Sequence, residues 1–171
     1  MLPAYAITTA CDTATAATGR ALAPLVAPGD VIVLSGDLGA GKTQLAKGLA
    51  AGLGVAEPVT SPTFNILLVH EGRIPLFHFD LYRLDAAEEL EDIDYWGTLE
   101  ADGVSVVEWG DRFAEAVPRE CVVVRIHIEG DEERLLEVEP RGARGGALVR
   151  DWAAACATLD GVTVTGPSER S

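Results

Sequence analysis

The chain has 171 residues, 48% of them hydrophobic, and carries 13 basic against 27 acidic side chains for a formal net charge of −14. That is enough for one domain with a proper core. The charge argues against a protein that grips nucleic acid by itself, because phosphate neutralisation needs a basic surface. It fits self-repulsion in solution or docking onto a partner's basic patch.

Cys11, Cys121 and Cys156 are too far apart for a CxxC redox or zinc motif and are expected to be reduced core filler. The first residues, MLPAYAITTACD, lack a basic start and a long apolar run, and no stretch approaches membrane-spanning length. A cytoplasmic location away from membranes is the expectation.

In chain order, residues 4–9 predict a strand and 12–26 a helix ended by Pro28-Gly29. Val31-Ile32-Val33-Leu34 is a wholly apolar run of strand length, as suits a central strand covered on both faces. A glycine-rich loop follows. Leu45, Leu49 and Leu53 then recur every four residues up to Gly54, predicting a helix. Residues 59–65 read as loop, 66–69 and 74–82 as strands, and 86–94 as a short acidic helix with a solvated face. Val104 to Val107 predicts another buried strand. Residues 122–128 and 135–139 predict an antiparallel pair turning at Gly130-Asp131. Gly142 to Gly146 reads as a hinge, 147–158 as a terminal helix and 161–171 as a loose tail. The expected class is α/β, a three-layer sandwich of the P-loop type with parallel central strands and antiparallel additions. Residues 1–141 form its main unit, and 142–171 a C-terminal helix and tail of the same domain.

The loop Ser35-Gly36-Asp37-Leu38-Gly39-Ala40-Gly41-Lys42-Thr43-Gln44 satisfies the spacing Gly-x-x-x-x-Gly-Lys-Thr. Its backbone N–H groups must wrap phosphate oxygens, and glycine permits the dihedrals and the close approach. Lys42 adds a mobile positive charge for the β and γ phosphates, and Thr43 a hydroxyl for Mg²⁺. The following helix adds its N-terminal dipole. The strand before the loop and the helix after it supply the context the motif demands. Guanine-reading proteins use an Asn-Lys-x-Asp segment. The single asparagine, Asn65, lies in nothing of that kind, so ATP is favoured.

Such a site needs an acid for the metal and a group for the attacking water, both at carboxyl ends of central strands. Glu108 closes the run 104–107, and Asp80 lies in Leu76-Phe77-His78-Phe79-Asp80-Leu81-Tyr82-Arg83. His78 alternates with Asp80 and reads as a core histidine. Arg83 reads as a salt-bridge partner ahead of a support for phosphate, and Trp109 as core filler or a base-stacking ring.

These motifs in this order and spacing, GDLGAGKT, Ser61-Pro62-Thr63-Phe64, His78-Phe79-Asp80-Leu81-Tyr82-Arg83 and Glu108-Trp109, resemble the bacterial TsaE (YjeE) family. The resemblance runs from about Thr15 to Ile128. Gly110-Asp111 stands where the family pattern has a proline. That family is the small ATPase of tRNA threonylcarbamoyladenosine biosynthesis. The resemblance implies partners TsaD and TsaB, which modify adenosine 37 of tRNA, so that tRNA is met only through the complex. ATP binding would promote assembly and hydrolysis would reset it. It further implies that Lys42 binds phosphate, Thr43 and Glu108 hold Mg²⁺, and Asp80 orients or activates the water. Ser61 and Thr63 would be a switch sensing the γ-phosphate, Trp109 would contact the nucleotide, and Thr15 would approach the base. The rivals are a small-molecule kinase, with Arg141, Arg144 and Arg150 as its lid, and a nucleotide-dependent scaffold without turnover.

Overall fold

Residues 31–36 are apolar on both faces until Ser35, and they become the buried centre of one eight-stranded sheet. The computed structural model describes residues 4–60, 62 and 64–167. Its strands are β1 (Tyr5–Thr9), β2 (Val31–Gly36), β3 (Leu67–His70), β4 (Leu76–Asp80), β5 (Val104–Glu108), β6 (Cys121–Ile128), β7 (Arg134–Arg141) and β8 (Val162–Thr165). The order across the sheet is β3-β4-β5-β2-β6-β7-β1-β8. The four middle strands β4, β5, β2 and β6 pair in parallel, and every pairing outside them is antiparallel.

Strand alternation divides the core in two. Ile32, Leu34, Val106, Val122 and Val124 face Leu22 of α1 (Asp12–Leu22), Leu45 and Leu49 of α2 (Lys42–Gly52), and Trp152 of α5 (Gly142–Cys156). Val31, Val33, Phe79, Val107 and Val123 face Leu90 of α3 (Glu89–Asp92) and Tyr95 and Leu99 of α4 (Tyr95–Leu99). Helices on both faces make the three-layer sandwich the sequence predicts.

Three expectations need correction. The glycine run 142–146 is no hinge but the first turns of α5. A Cβ on Gly145 would stand 2.4 Å from the Cys121 carbonyl oxygen, so glycine there lets the helix lie directly on β6. The tail is not loose throughout. Val162–Thr165 pairs with β1, from Ala6 opposite Thr165 to Thr9 opposite Val162, and covers the edge β1 would otherwise expose. The acidic helix is shorter than 86–94, because Asp94 adopts φ 51° and ends the run before α4 begins.

At the amino end of β2, Asp30 is 7% exposed and accepts from Arg144 twice, Nε to Oδ1 at 2.9 Å and Nη2 to Oδ2 at 2.6 Å. This pair ties α5 to the turn before β2. Arg144→Ala should cost about 2 kcal/mol, because it strips a buried carboxylate of a charge-assisted partner. Urea unfolding checks this; a loss below about 0.5 kcal/mol would place the pair with ordinary surface bridges.

Candidate nucleotide site

The carboxyl ends of the parallel strands converge on the glycine loop. Gly36 leaves β2 at φ 145°, and a Cβ there would lie 2.5 Å from the Ile126 carbonyl oxygen, so the turn off the strand admits only glycine. Gly41 sits at φ 111° immediately before α2. Lys42 then folds back over the loop, its Nζ donating to the carbonyls of Gly36 at 2.6 Å and Asp37 at 3.0 Å. It also lies 4.2 Å from the centre of the Trp109 ring. Burial pushes its pKa down, against the pull of Glu108, Asp80, Asp111 and Asp37. The ammonium is thus desolvated and held mainly by neutral groups, the condition in which a polyphosphate gains most from it.

His78, Asp80, Val106 and Glu108 alternate onto the sheet face that carries α2. Asp80 and Glu108 are direct partners across the β4–β5 ladder, each 2% exposed. Glu108 Oε1 accepts from the Thr43 hydroxyl at 3.2 Å, and Oε2 meets His78 Nε2 at 2.5 Å. Asp80 Oδ1 accepts from the Tyr82 amide at 3.0 Å. Trp109 adopts φ 60°, a strained value for a bulky residue, and its N–H is held by the Leu34 carbonyl at 3.0 Å. Its ring lies 5.0 Å from that of Tyr82. A cleft of about 410 Å³ runs between the loop, these acids and Trp109.

Loop, lysine and paired acids at the strand ends form one constellation, and the comparisons with known proteins point the same way. The sequence model of the family described as "Threonylcarbamoyl adenosine biosynthesis protein TsaE" matches residues 9–136. The chain belongs to the TsaE family. The TsaE protein of Treponema pallidum is 43% identical over 124 residues, 72% of this chain and 92% of its own length. That of Bacillus subtilis is 40% identical over 131 residues, covering 76% and 82%. The crystal structure of B. subtilis YdiB superposes with a TM-score of 0.76 at 33% identity, over 90% of this chain and 97% of that one.

Against the TsaE expectations, the structure brings Lys42, Thr43, Gln44, Asp80, Glu108 and Trp109 to one cleft with Leu38, Gly39 and Gly41. Gly36, Asp37 and Ala40 belong to the same loop. Ala40 is fully buried, whereas Leu38 is 86% exposed. Thr15 does not line the cleft. It is buried behind the loop, its methyl 3.7 Å from where a Gly41 Cβ would lie and its hydroxyl 2.7 Å from that of Thr9. Asp12, one turn earlier on α1, lines the cleft instead. Ser61 and Thr63 lie outside the described residues. Arg83 stacks over Phe64 at 4.4 Å in a cation–π contact, and among the described residues it forms no salt bridge of the kind expected. His78 is a core histidine by burial, but its ring nitrogen reaches Glu108, a link that only the ladder register reveals. Arg134, which sequence reasoning passed over, touches the glycine loop from the start of β7.

Oxygen donors of Thr43 and Glu108 side by side suit a hard divalent cation that keeps water and phosphate as its other ligands. No helix among the described residues is long and apolar enough to cross a membrane.

Proposed function

We propose that the chain binds ATP with Mg²⁺ and hydrolyses it as the ATPase subunit of tRNA threonylcarbamoyladenosine biosynthesis. The reading rests on one observation above the others. A buried lysine closes on its own glycine loop beside a Thr43–Glu108 pair, with Asp80 held in register next to Glu108. Lys42 and the loop amides would hold the phosphates, Thr43 and Glu108 the metal, and Asp80 the attacking water. The metal would neutralise charge on the phosphates. His78 keeps one oxygen of Glu108 occupied, which leaves the other directed at Thr43.

The curated relatives are named as tRNA threonylcarbamoyladenosine biosynthesis proteins. TsaD and TsaB are the proposed partners, in the cytoplasm, with tRNA held by them. The net charge of −14 supports that division of labour. ATP binding would favour assembly, hydrolysis would reset the complex, and Ser61 and Thr63 would sense the γ-phosphate.

A kinase would need a basic lid over the cleft. Arg144 is engaged with Asp30 and Arg141 with Glu139, both at the other end of the sheet. Neither they nor Arg150 line the cleft. The deciding experiment measures phosphate release by the purified chain, alone and with the cognate TsaD–TsaB heterodimer, with Lys42→Ala as the blank. Slow release alone and a rise with the heterodimer is the expected result. No rise would remove the partner assignment, and phosphate appearing on a metabolite would favour the kinase.

A further inference from the structure

Arg134 is 8% exposed, yet the five hydrogen bonds its side chain makes among the described residues all go to backbone carbonyls. Nε donates to Ala40 at 3.0 Å and Nη2 to Gly39 at 3.5 Å. Nη1 is shared among Gly130 at 3.1 Å, Asp131 at 3.3 Å and Glu133 at 2.9 Å. Among the described residues no carboxylate oxygen lies within 4.0 Å of its guanidinium. Buried charges are ordinarily paired, and this chain has 27 acids from which to choose. A cation with no carboxylate beside it on the wall of the cleft is therefore a feature to be explained.

The carbonyls it holds supply the explanation. In a planar trans peptide the C=O and the following N–H point in opposite directions. Fixing the Ala40 carbonyl on Arg134 therefore fixes the Gly41 N–H the other way, as a donor that a phosphate loop must offer. A loop with glycine at 36, 39 and 41 is costly to order on its own, since each glycine surrenders much backbone freedom. Arg134 meets part of that cost before any ligand arrives, because its other donors anchor it to the turn between β6 and β7. We propose that Arg134 is a positioning residue of the phosphate loop. It pre-orders Gly39–Gly41 from outside, and its uncompensated charge favours a polyphosphate in the cleft. This rests on the ATP reading above.

The test begins with calorimetric titration of the wild-type chain with ATP and ADP, then of Arg134→Lys, which keeps the charge but cannot span both anchors. The variant should remain folded and bind ATP about tenfold more weakly or worse, the loss expected when a preorganised donor set must be ordered on binding. KM should rise while kcat stays within about threefold, as removal of uniform binding requires. Unchanged affinity with only a lower melting temperature would make Arg134 a mere structural tie and overturn the inference. Should the variant not fold, the wild-type Arg134 Nε–H resonance in ¹⁵N-labelled protein decides. It should shift together with the Gly41 amide as ATP saturates, and an unmoved signal overturns the proposal. A wild-type chain that bound no nucleotide would sink the ATP reading and this inference with it, whereas tight binding by both proteins sinks this inference alone.

Discussion

Lys42→Ala should abolish measurable ATP binding while leaving a folded protein. Lys42 Nζ is the mobile cation of the cleft, held at 2.6 Å and 3.0 Å by two loop carbonyls that it can exchange for phosphate oxygens. Its burial weakens the hold of water on the charge, so the contact with an anion is worth more than at a surface. Truncating one partner of a buried charge pair costs about 3–5 kcal/mol, or about 10²–10⁴ in affinity. The loss of fold is expected to be small, because the lysine's present partners are carbonyls near solvent and the ring of Trp109. Calorimetric titration checks it. Affinity within about threefold of wild type would move the phosphates elsewhere, since a central charged contact cannot be that weak.

Asp80→Ala should separate binding from chemistry. Asp80 stands beside Glu108 on the sheet and is the proposed partner of the water, not of the phosphates, so ATP affinity should stay within about threefold while hydrolysis falls about 10²–10⁴-fold, the usual worth of a positioned general base. The carboxylate also accepts from the Tyr82 amide at 3.0 Å, so alanine disturbs the chain turn leaving β4. Asp80→Asn, which keeps an acceptor in place, should lose hydrolysis alike if the charge matters and recover it if only the turn does. Normal turnover in either variant, measured with the partners present, would remove Asp80 from the reaction.

The parts of the fold governed by local pattern were legible in the residues. Val31 to Leu34 are apolar on both faces, and Val104 to Val107 nearly so with Ser105 as the exception, which only a covered central strand requires. The glycine loop and Glu108 at the close of its strand followed from the same reading, whereas β4 ends at Asp80, two residues earlier than the predicted strand over 74–82. What escaped depends on partners distant in sequence. Arg134 reaches a loop 94 residues away, and nothing around it in the chain marks that use. His78 meets Glu108 only because β4 and β5 are neighbours in a given register. The glycines of 142–146 resemble a linker by composition and serve a helix that must lie close to β6. β8 has only four residues and owes its existence to the free edge of β1. The resemblance implies that Thr15 approaches the base, yet it lies inward of the cleft, because a helical face cannot be oriented without its neighbours.

Asp80 and Glu108 are cross-strand partners in a parallel ladder, and that has a consequence for control. The separation of their backbones is a constant of sheet geometry, about 4.8 Å, and no movement of loops alters it. The backbones that carry the acids would therefore keep their spacing through any cycle of turnover. If a partner accelerates the proposed hydrolysis, it would do so through what this floor does not fix, the seating of Lys42 and the glycine loop. Idle and working forms should accordingly share one sheet and differ in loop dynamics. A mutation that slows the protein without touching nucleotide affinity then belongs either to the floor itself or to the surface through which the partner sets those loops.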